Sequence, residues 1–323
     1  MSPQPLETQP LLQTIGLKKY FKTPRGDLHA VDDVNIKIDK GKTLGVVGES
    51  GCGKTTLGRT ILRLTDVSAG EIFFEGKDVL KYNKAEIRAM HKEMQLIFQD
   101  PYSSLNPRKS VSEIIREPII VNKLMQGRKL IDERVRELLN IVGLSPRMMN
   151  SYPHELDGGR RQRVGVARAL SLQPKLIVCD EPVSALDVSI QAQILNLLMD
   201  LQEEMGLSYM FITHDLSVVK HISYEIAVMY LGQCVELALS DELFANPLHP
   251  YTKALLNAIP VPDVEMMRKR KPVIRGEVSS PVNPKPGCRF VSRCDSAFEK
   301  CAEPVNLTDQ GDGHFVACKL FKE

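Results

Sequence analysis

Residues Gly48-Glu49-Ser50-Gly51-Cys52-Gly53-Lys54-Thr55 join an apolar run, 43–47, to a stretch of helical character, 55–64. The pattern G-x-x-x-x-G-K-[ST] between a strand and a helix constrains the fold more than any other feature of the chain. Three glycines let the backbone curl until successive N–H groups point inward. Those amides and the positive end of the following helix make a cradle for phosphates. Lys54 is placed to reach the β- and γ-phosphates of a bound nucleotide. Thr55 is placed to give its hydroxyl to Mg²⁺, with Thr56 beside it in the first helical turn.

A second element supports the first. The apolar run 176–179 ends in Asp180-Glu181. A carboxylate at the tip of a buried strand can hold Mg²⁺ through water, the role expected of Asp180. Glu181 is then placed to orient or deprotonate an attacking water. Around these motifs, segments 31–38, 43–47, 71–74, 176–179, 209–213 and 227–231 read as strands. Segments 55–64, 131–142, 161–172 and 190–205 have helical spacing. Strands alternating with helices predict an α/β fold with a parallel central sheet. The strands of 11–47 form an antiparallel β subdomain, and 100–165 is a helical insertion.

The chain has 323 residues, more than one compact sheet domain needs. Its apolar fraction of 43% and charged fraction of 25% are those of an ordinary soluble protein. No run approaches the roughly 18 apolar residues of a spanning helix, so any membrane work falls to other chains. Residues 1–10 are polar and proline-rich, without the pattern of a secretory signal. A cytoplasmic protein with a frayed tail is expected. The net charge of +2 gives no general pull toward nucleic acid. The run Arg268-Lys269-Arg270-Lys271 reads as a solvated loop, with contact to anionic lipid headgroups the other reading.

Together these motifs resemble the ABC ATPase family over most of the chain. The resemblance implies a P-loop NTPase core that binds and hydrolyses ATP with Mg²⁺. Gln99, in Ile97-Phe-Gln-Asp-Pro101, is similar to the glutamine that touches the metal and links the core to the helical subdomain. Ser184-Ala-Leu-Asp187 resembles the loop that crosses a dimer interface, and His214 in Ile212-Thr-His-Asp215 the histidine on the γ-phosphate. Phe21 or Tyr20 stands where an aromatic stacks on adenine, Phe21 being favoured. Leu156-Asp157-Gly158-Gly159-Arg160 stands where the family carries Leu-Ser-Gly-Gly-Gln, the segment that contacts the partner subunit's γ-phosphate. Two readings stay open for Asp157. Its charge opposes ATP-driven closure unless Arg160 or Arg161 offsets it, or it only caps a helix. The first reading predicts a heterodimer with a second, homologous ATPase and one degenerate site.

The end of the chain narrows the resemblance. Asn246-Pro-Leu-His-Pro-Tyr-Thr-Lys-Ala-Leu-Leu-Asn-Ala-Ile-Pro260 is similar to a stretch found in ATPases of dipeptide, oligopeptide and nickel importers. Gln99-Asp-Pro-Tyr-Ser-Ser-Leu-Asn-Pro-Arg108 is similar to the second ATPase of such systems. The implied partners are two transmembrane permease subunits and an extracytoplasmic peptide-binding protein, with this chain at the cytoplasmic face. The expected organisation is a tail over 1–10, an ATPase domain over 11–240 and a C-terminal extension over 241–323. Four of the seven cysteines, Cys288, Cys294, Cys301 and Cys318, lie in that extension. Such crowding in a reducing compartment points to a metal or cluster. Paired C-x-x-C spacing favours zinc, and the wider gaps here lean toward an iron–sulfur cluster. The resemblance implies a [4Fe–4S] centre. The competing function, a soluble ABC ATPase acting in DNA repair, lacks the sustained heptads of a coiled coil between Lys54 and Asp180.

Overall fold

A computed structural model describes residues 9–259 and 280–321. The basic run 268–271 and most of the N-terminal tail lie outside the described residues. The elements in chain order are β1 (Leu12–Thr23), β2 (Gly26–Ile38), β3 (Thr43–Val47), α1 (Lys54–Ile61), β4 (Ala69–Phe74), β5 (Lys77–Asp78), α2 (Lys84–Glu93) and β6 (Met94–Ile97). Next come α3 (Pro101–Ser104), α4 (Val111–Val121), α5 (Arg128–Ile141), α6 (Gly158–Leu170), β7 (Leu176–Asp180), α7 (Val188–Met205) and β8 (Ser208–Thr213). The last are α8 (Leu216–Ile222), β9 (Glu225–Tyr230), β10 (Gln233–Leu239), α9 (Ser240–Ala245), α10 (Pro250–Ala258), β11 (Thr308–Asp309) and β12 (Phe315–Val316). The chain divides into two compact units.

The first unit comprises Met1–Asp39, Thr43–Lys81 and Phe211–Glu323. It contains an antiparallel sheet in which β1 lies between β2 and β4, with Leu12 opposite both Ile38 and Phe74. A second group of strands starts at β3, which pairs in parallel with β9. β9 continues antiparallel to β10, and β10 to β12. Every residue of β3 is buried. That is why Thr43-Leu-Gly-Val-Val reads as a continuous apolar run and not as an alternation.

The second unit comprises Lys40–Lys42 and Tyr82–Met210. Here β6 and β7 pair in parallel, and β7 is buried along its whole length. Between residues 98 and 175 the chain is helical or irregular, with α4, α5 and α6 packed on one another. Ser110 and Glu113 close a capping box at the start of α4, satisfying orphan amide groups of the first turn.

The expected strands are present, with β1 and β2 longer than the sequence reading allowed. The elements β5, α2, β6, α8, β10, β11 and β12 escaped it. The helix expected over 161–172 begins earlier, at Gly158, because the Asp157 side chain accepts from the Arg160 N–H at 2.7 Å and starts it there. The start of the C-terminal extension contains α9 and α10. Pro250 is tolerated at the first turn of α10, where its missing N–H costs nothing.

Candidate nucleotide site

The phosphate loop spans the turn between β3 and α1 in the first unit. Gly53 has φ = 105°, and a Cβ there would meet the Ala30 carbonyl oxygen at 2.0 Å. Only glycine allows this turn. Lys54 is 4% exposed. Its ammonium lies across the loop, donating to the carbonyls of Gly48 at 2.8 Å and Glu49 at 3.0 Å. Cys52 is buried, and that burial raises its thiol pKa. The cradle of backbone groups, the buried lysine and the N-terminus of α1 together suit a polyphosphate.

Sequence reasoning missed what surrounds the loop. Glu49 is held twice. Its N–H donates to the Tyr251 hydroxyl at 2.9 Å. Its carboxylate accepts both ends of the Arg293 guanidinium, at 2.7 and 3.0 Å. Tyr251 belongs to the stretch read only as a mark of resemblance, and Arg293 to the cysteine-bearing segment. His249, in the same stretch, caps α10 by accepting from the Tyr251 N–H at 3.1 Å. Burial pushes the His249 pKa down to about 4.

The two aromatic candidates have different surroundings. Tyr20 donates its hydroxyl to Asp32 and stacks on His29 with ring centroids 3.9 Å apart. Burial, then the hydrogen bond to Asp32, raises its pKa. Phe21 is 37% exposed, with the Lys19 ammonium 4.6 Å from its ring centroid. The exposed ring is the one able to offer a face to a base. His214, the first residue after β8, is also exposed. Asp215 beside it caps α8 by accepting from the Ser217 N–H at 2.8 Å.

In the second unit, Asp180 ends β7 and is 3% exposed. Glu181 turns the chain at φ = 47°, a conformation few non-glycine residues adopt. Gln99 donates to the Glu181 carboxylate at 3.0 Å, so the structure brings these two predicted residues together. The loop that follows is braced by Gln191, which donates to the Val183 and Leu186 carbonyls, each at 3.0 Å. Asp187 is exposed at the head of α7.

The segment 157–160 packs under that same helix. A Cβ on Gly159 would meet Ile190 Cγ2 at 2.6 Å, which explains a glycine at this point. Asp157 caps α6, as one of its two readings required. It also pairs with Arg160, Nε to Oδ2 at 3.3 Å. Arg161 is committed elsewhere. It donates to the Pro153 carbonyl at 2.6 Å and lies 3.8 Å from the Tyr102 ring centroid. Of the two arginines considered as counter-charges, only Arg160 is paired with the carboxylate.

Cys288, Cys294, Cys301 and Cys318 feel one another electrostatically, and the Cys288 N–H donates to the Cys301 carbonyl at 2.8 Å. Burial raises the Cys288 thiol to about 11, with Cys294 and Cys318 shifted in the same direction. Yet no group of three or more His, Cys, Asp or Glu among the described residues could hold a metal ion. The expected metal or cluster site therefore has four thiols in one neighbourhood but no ligand geometry.

A family model for ABC transporters matches residues 31–184. A second, described as the oligopeptide/dipeptide transporter C-terminal region, matches residues 235–301. The oligopeptide transport ATP-binding protein OppF of Salmonella typhimurium is 51% identical, over 93% of this chain and 90% of its own. The dipeptide transport ATP-binding protein DppF of Haemophilus influenzae is 48% identical, over 97% of each. Among solved structures, cbiO1 of Clostridium perfringens, part of the ABC transporter complex cbiONQ, superposes with a TM-score of 0.66. It is 26% identical over 74% of this chain and 92% of its own. The ATP-binding cassette MJ0796, dimeric with ADP and phosphate, gives a TM-score of 0.65 at 27% identity, over 71% of this chain and 98% of its own.

The fold and the phosphate loop thus define an ABC ATPase, an enzyme that binds and hydrolyses ATP. More narrowly, the chain belongs to the oligopeptide and dipeptide branch of that family, the branch that carries the C-terminal region matched at 235–301. Among the described residues no helix is long and apolar enough to cross a membrane.

Proposed function

We propose that this chain is one of two related ATPase subunits that power the import of oligopeptides or dipeptides. It would sit at the cytoplasmic face of the membrane against two permease subunits, with an extracytoplasmic binding protein delivering the peptide. The observation that carries this reading is identity of about half along nearly the whole chain to oligopeptide and dipeptide transport ATP-binding proteins. The match extends into the C-terminal region as well as the ATPase core. No comparable feature supports a role in DNA repair.

In this reading the loop 48–55 and Thr56 take the phosphates, and Phe21 or Tyr20 takes the adenine. Thr55, Asp180 and Gln99 hold Mg²⁺. Glu181 orients the water and His214 contacts the γ-phosphate. ATP closes two subunits head to tail. Asp187 and the segment 157–160 of each subunit then meet the partner's site. Closure moves the helical insertion, about 100–165, against the permeases, and hydrolysis reopens the pair. The dimeric state of the MJ0796 cassette supports this arrangement. Asp157 makes a heterodimer the favoured assembly, because a homodimer would have two sites facing a carboxylate. The domain limits remain those of the sequence reading: a tail over 1–10, the ATPase over 11–240 and the extension over 241–323.

The four extension cysteines are proposed to hold a [4Fe–4S] cluster, in a structural role. Their crowding and mutual electrostatic coupling support this. Visible absorbance with bound iron supports the cluster, and a colourless protein containing zinc refutes it.

The test of function is uptake of a labelled tripeptide by cells lacking the chain. The wild-type chain should restore uptake, while Lys54→Ala and Glu181→Gln should not. Uptake unchanged by loss of the chain overturns the proposal. Hydrolysis by the chain alone, at the rate seen with its cognate partner, overturns the heterodimer.

A further inference from the structure

The stretch 287–294 sends one buried arginine to the phosphate loop and another to the turn that anchors it. The Arg289 and Arg293 side chains are each 6% exposed. Arg293 grips the Glu49 carboxylate with both nitrogens of its fork and donates to the Tyr230 hydroxyl at 3.3 Å. A two-pronged, charge-assisted contact of this kind fixes orientation as well as distance.

Arg289 reaches the loop by a second route. It donates to the Leu231 carbonyl and to the Asp32 carboxylate. The neighbouring Gly232 N–H donates to the Cys52 carbonyl inside the phosphate loop at 2.8 Å, and the Asp32 N–H donates to the Gly232 carbonyl at 2.8 Å. Asp32 also accepts from Tyr20. Burial alone would raise the Asp32 carboxyl, but the hydrogen bonds from Tyr20 and His29 and the Arg289 charge hold it below the usual carboxylate range. Between the two arginines, Phe290 is 2% exposed and packs on the rings of Tyr230 and Tyr251, each 5.3 Å away. The stretch is thus seated by an aromatic plug, with one arginine on each side of it.

We propose that Arg293 and Arg289 are positioning residues for the ATP site, and that the seating of the segment 287–294 sets ATP affinity. Neither side chain touches the nucleotide in this scheme. Arg293 holds the loop through Glu49, and Arg289 holds the turn that anchors Cys52. A cradle of backbone amides binds phosphate only if its curvature is already in place, so loosening either anchor weakens ground-state binding more than the chemical step. The proposal rests on the reading of residues 48–55 as the ATP site.

The test uses the full chain, titrated with a fluorescent ATP analogue in the presence of Mg²⁺, and steady-state hydrolysis by the assembled transporter. Arg293→Gln should raise both Kd and KM about tenfold and leave kcat within about twofold. Glu49→Gln should match it, and the double variant should be no worse than either single one. A folded Arg293→Gln protein with wild-type Kd, or additive losses in the double variant, overturns the proposal. If Arg293→Gln fails to fold, Arg293→Lys carries the test, because it keeps the charge and loses the fork. A Kd raised about threefold supports positioning, and a wild-type Kd overturns it. Lys54→Ala separates the two readings. If the wild-type chain binds no analogue, or Lys54→Ala leaves binding intact, it is the ATP-site assignment that fails.

Discussion

Replacing Asp157 by Asn separates its two roles, since Asn is an equally good helix cap and carries no charge. The Asp157 Oδ1 contact to the Arg160 N–H, 2.7 Å, is the cap and survives in Asn or Ser. The Arg160 Nε contact to Oδ2, 3.3 Å, is an ion pair between side chains 61% and 53% exposed. A pair so exposed contributes at most about 1 kcal/mol. Folding stability should therefore hold in Asp157→Asn and Asp157→Ser. Asp157→Ala loses the cap, about 1 kcal/mol, and should melt roughly 2–4 °C lower. In the proposed dimer the charge acts elsewhere. A carboxylate about 4 Å from a partner's γ-phosphate is repelled by about 4 kcal/mol at an effective dielectric of 20. The Arg160 guanidinium beside it cancels most of that. The remaining 1–2 kcal/mol, roughly, corresponds to about five- to thirtyfold in association. The assay is light scattering of the full chain with its cognate ATPase and ATP, in a Glu181→Gln background. Asp157→Asn and Asp157→Ser should both tighten association, and more so at low salt. If they leave it unchanged while Asp157→Ala lowers only the melting temperature, Asp157 is a cap and the charge argument is wrong.

Glu181→Gln should lower hydrolysis at least about 100-fold while retaining ATP, because the amide cannot take a proton from water. Phosphate release against equilibrium nucleotide binding checks it. His249 is neutral in the fold, with its pKa near 4 against 6.5 unfolded. The unfolded chain therefore binds more protons between those values, and stability falls as pH drops through that window, by about 3 kcal/mol in full. Melting curves from pH 7 to pH 4 should show this slope in the wild type and a flatter one in His249→Asn, whatever the absolute stability of that variant.

The phosphate loop was legible because its chemistry demands residue types at fixed spacing. Strands β3, β7 and β8 were legible because burial on both faces gives uninterrupted apolar runs. Helix α2 was missed although Asn83 and Glu86 form a capping box, a signal the sequence contains. Strand β10 was missed for a different reason. Glu236, fully buried in its centre, breaks the apolar run and reads as surface. Its partners Leu248, His249 and His314 lie 12, 13 and 78 residues further on, outside the strand's own period. Likewise nothing local marks Arg293 as a partner of Glu49, which lies 244 residues away. Long-range polar contacts leave no periodicity to read, so the extension looked like an appendage.

Its contacts say otherwise, and they predict what truncation does. Ending the chain at Ala245 would keep every strand and helix of the first unit through α9. It would also strip Glu236, 0% exposed, of its donors: the Leu248 N–H at 2.6 Å, the His249 N–H at 2.9 Å and His314 Nε2 at 2.8 Å. Each of those charge-assisted hydrogen bonds contributes about 1.5–3 kcal/mol. Tyr230, 1% exposed, would lose the rings of Tyr251 and Phe290 that cover it. Asp32 would lose Arg289, and Glu49 both Tyr251 and Arg293. Against a total stability of about 5–15 kcal/mol, these losses are enough to unfold the unit. The truncated chain should be insoluble or melt more than about 10 °C lower. A soluble truncated chain melting within about 2 °C of the full one would refute the argument, and the extension would then be a separable module after all.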